Sequence, residues 1–277
     1  MFRFTSQEMT RMECYWIRNT EATLAKLREA SEGVAMIPLG SIESHGPHLP
    51  LGSDPIKTDN LVRHIVAQET VAVLPTVPYS YVAAARVLPG AIHIPSALLI
   101  DWMEQICDEI HRNGFNKIVL LHGHGGNVAL HQMICSRMLE KEKPYALYSL
   151  SAQADRMPEM FKLMDHPEQG HACEWETSLN MVACPELVDL NALGDRTFPT
   201  VPGPDTGAAL TPVDYISRHP DMAIGKPQLA TKKKGEQILA MAIERVVRHL
   251  RMIKKDTKVL EVMRWYRQRA QSVADRS

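Results

Sequence analysis

Apolar and polar positions along this chain fall into two rhythms. Four short runs are almost continuously apolar: Val34-Ala35-Met36-Ile37-Pro38-Leu39, Val71-Ala72-Val73-Leu74, Lys117-Ile118-Val119-Leu120-Leu121 and Tyr145-Ala146-Leu147-Tyr148. Runs of that length and character predict strands buried on both faces. Between them, apolar residues recur at helical spacing. Residues 55–68 open with Pro55, whose fixed φ suits a first helical turn. Residues 96–113 begin with Ser96 as an N-cap and stop at Gly114. Residues 127–142 and 174–183 each follow a polar loop. Near the C-terminus, Ile238, Leu239, Ala242, Ile243, Val246, Val247 and Leu250 mark one face of a helix whose other face carries Glu244, Arg245 and Arg248. Strands alternating with helices predict an α/β fold, with a mainly parallel sheet covered on both faces.

In open sheets of this kind, ligands bind beyond the carboxyl ends of the strands. The loop after the first predicted strand, residues 40–54, places Glu43, His45 and Asp54 among Gly46, Pro47, Pro50 and Gly52. Two carboxylates and an imidazole in a stiff loop suit a borderline divalent metal with mixed N/O ligands. The loop after the 117–121 strand, His122-Gly123-His124-Gly125-Gly126-Asn127, opens on the same edge. Its glycines could cradle a phosphate ahead of a helix. The Lys and Ser/Thr of a P-loop are missing, however, as is the spacing of a dinucleotide fingerprint. The metal reading is preferred: His124 as ligand, Gly125 and Gly126 as room for substrate, and Asn127 as a helix cap or substrate-orienting amide.

A third cluster holds His171, Glu174, Trp175, Glu176, Thr177 and Ser178. On a continuous helix His171 and Glu174 share a face while Glu176 points elsewhere, so His171 and Glu176 meet at one site only if the helix begins between them. Ser178 lacks the G-x-S-x-G elbow of a hydrolytic nucleophile. His48 is expected to orient a ligand by hydrogen bond. His64, His111, His131, His219 and His249 are expected at the surface or at helix ends.

Composition narrows the class. The 277 residues are 45% apolar, enough for a sizeable core, and no linker divides residues 1–277, which are expected to form a single domain. With 31 basic and 32 acidic residues the net charge is −1, so no global field recruits nucleic acid or an anionic membrane. No run of 18 apolar residues and no signal-peptide pattern occurs, and five unpaired cysteines suit a reducing compartment. A soluble, cytoplasmic protein is expected.

The three loops together resemble the creatininase (creatinine amidohydrolase) family. The matching strings are Pro38 to Asp54, Gly123-His124-Gly125-Gly126-Asn127 and His171 to Ser178, with weaker echoes at Leu88-Pro89-Gly90-Ala91-Ile92 and Gly225-Lys226-Pro227; the likeness spans about residues 30–250. The resemblance implies a three-layer α/β/α sandwich, a dinuclear metal site with Zn2+ and/or Mn2+ (Fe2+ as a further option) and hydrolysis of a small molecule. It also implies a homo-oligomer, a hexamer being favoured. Glu43, Asp54 and His124 would hold one ion, and His45 and Asp54 the other, with Asp54 bridging. Creatininase places a glutamate and a preceding tyrosine where this chain has Gly126 and Gly125, and a tryptophan where it has Pro167. Creatinine is therefore not the expected substrate, and Glu176 is expected to replace the missing ligand. The resemblance makes His171 the acid/base, with Glu174 orienting it or a metal ligand. Gly125, Gly126, Asn127 and Trp175 are the expected substrate contacts.

The expected reaction is hydrolysis of a cyclic amide or formamide by metal-activated water. One alternative keeps the metal and opens a cyclic polyol diketone, such as 3-dehydro-scyllo-inosose, by C–C cleavage. Residues 78–93, with Tyr79, Tyr81, Arg86 and His93, bear on that choice. A second alternative is a non-catalytic module that binds a phosphorylated ligand through the Gly-rich loop.

Overall fold

The computed structural model describes residues 13–152 and 157–271. Its elements run α1 (Glu21–Ala30), β1 (Val34–Leu39), α2 (Ser53–Val66), β2 (Ala72–Val73), α3 (Ser96–Arg112), β3 (Lys117–His122), α4 (Val128–Glu140), β4 (Ala146–Ser151), α5 (Met157–Phe161), α6 (Glu174–Ala183), α7 (Asp214–Arg218), α8 (Lys232–Lys255) and α9 (Lys258–Gln271). The four strands form one sheet in the order β2-β1-β3-β4, and every pairing is parallel.

Alternation along the strands sorts the core into two layers. Val34, Met36, Val119 and Leu121 face one side, where they pack with Leu61, Val62 and Ile65 of α2, Leu179 of α6 and Ile238, Val246 and Leu250 of α8. Ala35, Ile37, Leu39, Ile118 and Leu120 face the other side and meet Leu27 of α1, Met103, Cys107 and Ile110 of α3, and Ile134 and Met138 of α4. Successive strand side chains point to opposite faces, so both faces of β1 and β3 need apolar residues. That requirement explains the unbroken apolar runs and yields the three layers.

The differences from expectation are local. β2 keeps only two residues of the 71–74 run, and β4 extends to Ser151. Ser96 does not cap α3: it is the first helical residue, and Pro95 holds the cap position without a side-chain bond. α9 is absent from the sequence expectation, and none of its residues is buried. Among the described residues, no helix is long and apolar enough to cross a membrane.

Register positions the site. Leu39, the last residue of β1, stands opposite His122, the last of β3, so the loops that follow begin side by side. Gly123 donates to the Leu39 carbonyl at 2.7 Å. A Cβ at Gly123 would lie 2.6 Å from that carbonyl oxygen and would strike the Thr58 hydroxyl, so glycine permits this close approach.

Candidate metal centre and active site

Residues 40–54 form a short connection from β1 into α2. Glu43 donates its backbone N–H to Leu51, and Ser53 donates to Pro50, closing the loop on itself. Glu43, His45 and Asp54 are buried, with at most 2% exposure. Asp54 lies in the first turn of α2, where the helix dipole favours a carboxylate. His45 Nδ1 lies 3.2 Å from the Glu43 carbonyl, which can only accept, so the proton sits on Nδ1 and Nε2 faces the site.

His124 comes from the loop after β3 and completes a first group. Its Nδ1 lies 3.0 Å from both Glu43 Oε1 and Asp54 Oδ2. Ligands about 2.0–2.2 Å from a tetrahedral zinc stand roughly 3.3–3.5 Å apart, so the three atoms are spaced much as one ion would hold them. Ser41 Oγ reaches Glu43 Oε1 at 3.0 Å and Asp54 Oδ2 at 2.5 Å, and with one proton it serves one of them at a time. Burial works against the His124 imidazolium, yet bonds to Asp54 and Glu43 outweigh it and carry its pKa up to about 10. Burial likewise opposes ionised Glu43, and the contacts with His124 outweigh it, leaving Glu43 below the usual carboxylate range. Two buried carboxylates here call for positive charge. The group fits a divalent ion.

A second group shares Asp54. His45 Nε2 lies 3.3 Å from Asp54 Oδ1 and 4.0 Å from Glu176 Oε2. Asp54 thus turns Oδ2 to the first group and Oδ1 to the second. Glu43, His45 and His171 make a third convergence. His45 Nε2 has no hydrogen-bond partner although it is fully buried, as befits a nitrogen that a ligand or a charged neighbour should satisfy.

The creatininase family's sequence profile, described as creatinine amidohydrolase, matches residues 20–250. The chain belongs to the creatininase family. It is 24% identical to the creatinine amidohydrolase of Pseudomonas putida, over 80% of this chain and 90% of that one. It is also 24% identical to the 3-dehydro-scyllo-inosose hydrolase of Thermotoga maritima, over 82% and 81%. A creatininase variant of Zn–Zn type shares the fold with a TM-score of 0.76 and 22% identity, over 88% of this chain and 99% of that one. A manganese creatininase gives 0.74 at 22% identity, over 88% and 100%. This chain is an enzyme of that hydrolase family, with low identity to creatininase itself.

The third loop of this family member resolves the helix question. α6 begins at Glu174 with Cys173 as N-cap, so His171 precedes the helix while Glu176 lies in its first turn. Glu176 is buried and turned inward: one oxygen accepts from Ala172 N–H at 2.7 Å, and the other from Lys57. His171 Nε2 lies 2.7 Å from the Ser44 carbonyl, and its ring centroid is 4.2 Å from that of His45. Burial and the neighbouring His45 lower the His171 pKa from its ordinary value.

Glu174 requires a correction, since it neither orients His171 nor supports a ligand. Its carboxylate accepts the backbone N–H groups of Asp165 and His166 and takes the Lys234 ammonium. As the first residue of α6, it projects back towards the 165–166 loop. Asn127 also departs from expectation. It sits at the cap position of α4 without a side-chain cap bond, and its Oδ1 accepts from Ser80 Oγ away from the cavity wall. His48 is buried and bonds Thr177 Oγ1 at 2.8 Å rather than a ligand. His131, expected at the surface or at a helix end, lies near the start of α4 but is 3% exposed and bonded to His122 Nε2, which also meets Ser149 Oγ at 2.6 Å. Apolar neighbours at helical spacing conceal such a histidine in the sequence.

These groups open on a cavity of about 940 Å³. Glu43, His124, His171 and Glu176 form its metal side, and Gly125, Gly126 and Trp175 also line it. Gly126 carries no side chain for a reason: a Cβ there would strike the His124 ring.

The residue missed from the sequence is Lys57. It lies one turn after Asp54 in α2 and is 8% exposed. Nζ stands 2.7 Å from Asp54 Oδ1, an ion pair without hydrogen-bond alignment, and it donates a hydrogen bond to Glu176 Oε1. Nζ also lies 5.4 Å from the Trp175 ring centroid. Burial opposes its charge, but Asp54 and Glu176 outweigh burial and raise its pKa above the ordinary lysine value.

Proposed function

We propose that the chain hydrolyses a small cyclic amide or a formamide at a divalent metal held by Glu43, Asp54 and His124. The supporting observation is the convergence of those three buried groups, two of which, Glu43 and His124, line the cavity with His171. A divalent ion there would act as a Lewis acid and bring the pKa of a bound water towards neutrality. His171 donates from Nε2 to the Ser44 carbonyl, which leaves the Nδ1 lone pair to take a proton and pass it to the leaving nitrogen. The Ser44 bond also fixes the imidazole's orientation. The second group, His45, Asp54 and Glu176, offers three ligands but has the Lys57 ammonium on two of them.

A second reading, C–C hydrolysis of a cyclic polyol diketone, is favoured by the hydroxyl and amide groups of Tyr81, Ser149, Ser151, Tyr215 and Gln132 on the cavity wall. A polyol needs more such partners than a flat amide does. Binding of a phosphorylated ligand without catalysis is opposed by Glu43 and Glu176 on the same wall.

The test is to incubate the metal-loaded protein with lactams, formamides and cyclic polyol ketones and follow ring opening or deformylation by mass spectrometry. Turnover of an amide class, abolished by a chelator, is expected. Turnover confined to polyol ketones selects the second reading, and no metal-dependent turnover of either class removes both.

A further inference from the structure

Lys57 already contacts both carboxylates that the second ion of a two-metal centre would need. Its Nζ contacts both carboxylates of the second group, Asp54 through Oδ1 and Glu176 through Oε1. Among the described residues the first group, in contrast, has no lysine or arginine ion pair on Glu43, and Asp54 Oδ2 meets only the His124 imidazole and the neutral Ser41 hydroxyl. We propose that Lys57 is the resident cation of the second half-site. The protein then holds one tightly bound divalent ion, at Glu43, Asp54 and His124, with the ammonium in place of the other. This rests on the hydrolase reading only in taking the first half-site as a metal site.

Charge supports the assignment. Glu43, Asp54 and Glu176 are all buried, at 2%, 1% and 7% exposure. With neutral histidines, these three carboxylates and one ammonium leave two negative charges, which one divalent ion cancels. A second ion would leave two positive charges in excess among side chains that are almost wholly buried, before any anion joined them. Net charge in such a place is costly.

Packing supports it as well. Lys57 and Asp54 are three residues apart on the same face of α2, so their approach is built into the helix. Glu176 arrives from the first turn of α6, held by Ala172 N–H, and the Trp175 face lies against the ammonium. A second ion would have to share both carboxylates with the ammonium at close quarters or push it from them, leaving it buried beside the ring.

The experiment is metal stoichiometry of the full chain. The protein is loaded with excess Mn2+, desalted, and analysed by inductively coupled plasma mass spectrometry and by electron paramagnetic resonance. Wild type is expected to retain about one ion per chain with an uncoupled Mn2+ spectrum, and Lys57→Met about two with a spin-coupled spectrum. Glu176→Gln should keep the single ion, since it lies outside the first half-site. Two coupled ions in wild type overturn the proposal whether or not any variant folds. A Lys57→Met protein with native circular dichroism and only one ion overturns it too. A wild type with one ion that hydrolyses no amide leaves this inference standing and removes the functional reading instead.

Discussion

Asp54 and His124, 70 residues apart in the chain, meet with Oδ2 3.0 Å from Nδ1. The contact exists because the β1 and β3 strands end in register and because α2 begins in the loop between β1 and β2. Asp54 turns its other oxygen to His45 and Lys57, so one side chain links both candidate half-sites.

Asp54→Ala should therefore abolish tight metal binding. The variant removes an oxygen from each group and leaves Lys57 with Glu176 alone. Metal content after desalting should fall to about zero per chain, against the wild-type ion. A variant that keeps its ion would move the metal site away from Asp54.

His171→Ala separates proton transfer from metal binding. Its Nε2 bonds a backbone carbonyl rather than a carboxylate of the first group. Metal content should stay at the wild-type value while turnover drops roughly 10²–10⁴-fold. Metal loss in this variant would make His171 a ligand, through the group it forms with Glu43 and His45.

The His122–His131 pair should make the fold sensitive to mild acid. Burial pushes His122 down to about 4 and His131 down to about 2, each helped by a neighbouring histidine. In the unfolded chain a histidine titrates near 6.5, so between that value and about 4 the unfolded state binds the extra protons. Stability contributed by the neutral pair is thus full above pH 7 and lost as pH falls. His122 alone should account for about 2 kcal/mol between pH 7 and pH 5. Denaturant unfolding at the two pH values measures the loss. The double variant His122→Gln/His131→Leu should show a shallower dependence, and an unchanged slope would rule the pair out as its source.

Gly123→Ala tests the junction that brings the loops together. The added Cβ meets the Leu39 carbonyl and the Thr58 side chain, and the carbonyl cannot move without disturbing the end of β1. Overpacking of this kind costs about 1–3 kcal/mol. A thermal midpoint equal to that of wild type would show that the junction yields freely.

The strands and the first loop are legible in the sequence because their signals are local. A strand buried on both faces must be apolar throughout, so 34–39 and 117–121 announce themselves, and β1 and β3 match them within a residue. Glu43, His45 and Asp54 fall within twelve residues of each other, inside a stretch stiffened by Gly and Pro. The order of strand ends in a parallel sheet then places His124 on the same edge. The family likeness is carried by the same strings.

Tertiary structure decided what depends on where helices start and how they pack. The sequence leaves open where the helix carrying Glu174 and Glu176 begins; it starts at Glu174, sending that carboxylate to Lys234 and Glu176 to the site. Lys57 reads as an ordinary polar residue of an amphipathic helix. The packing of α2 in the fold buries it, and Glu176, 119 residues away, joins Asp54 in making that burial tolerable. Local sequence sets backbone preference and apolar periodicity over a few residues. Which charges face each other in the interior is set by contacts between distant segments, and the cost of leaving a buried charge unpaired selects those contacts only in the folded chain.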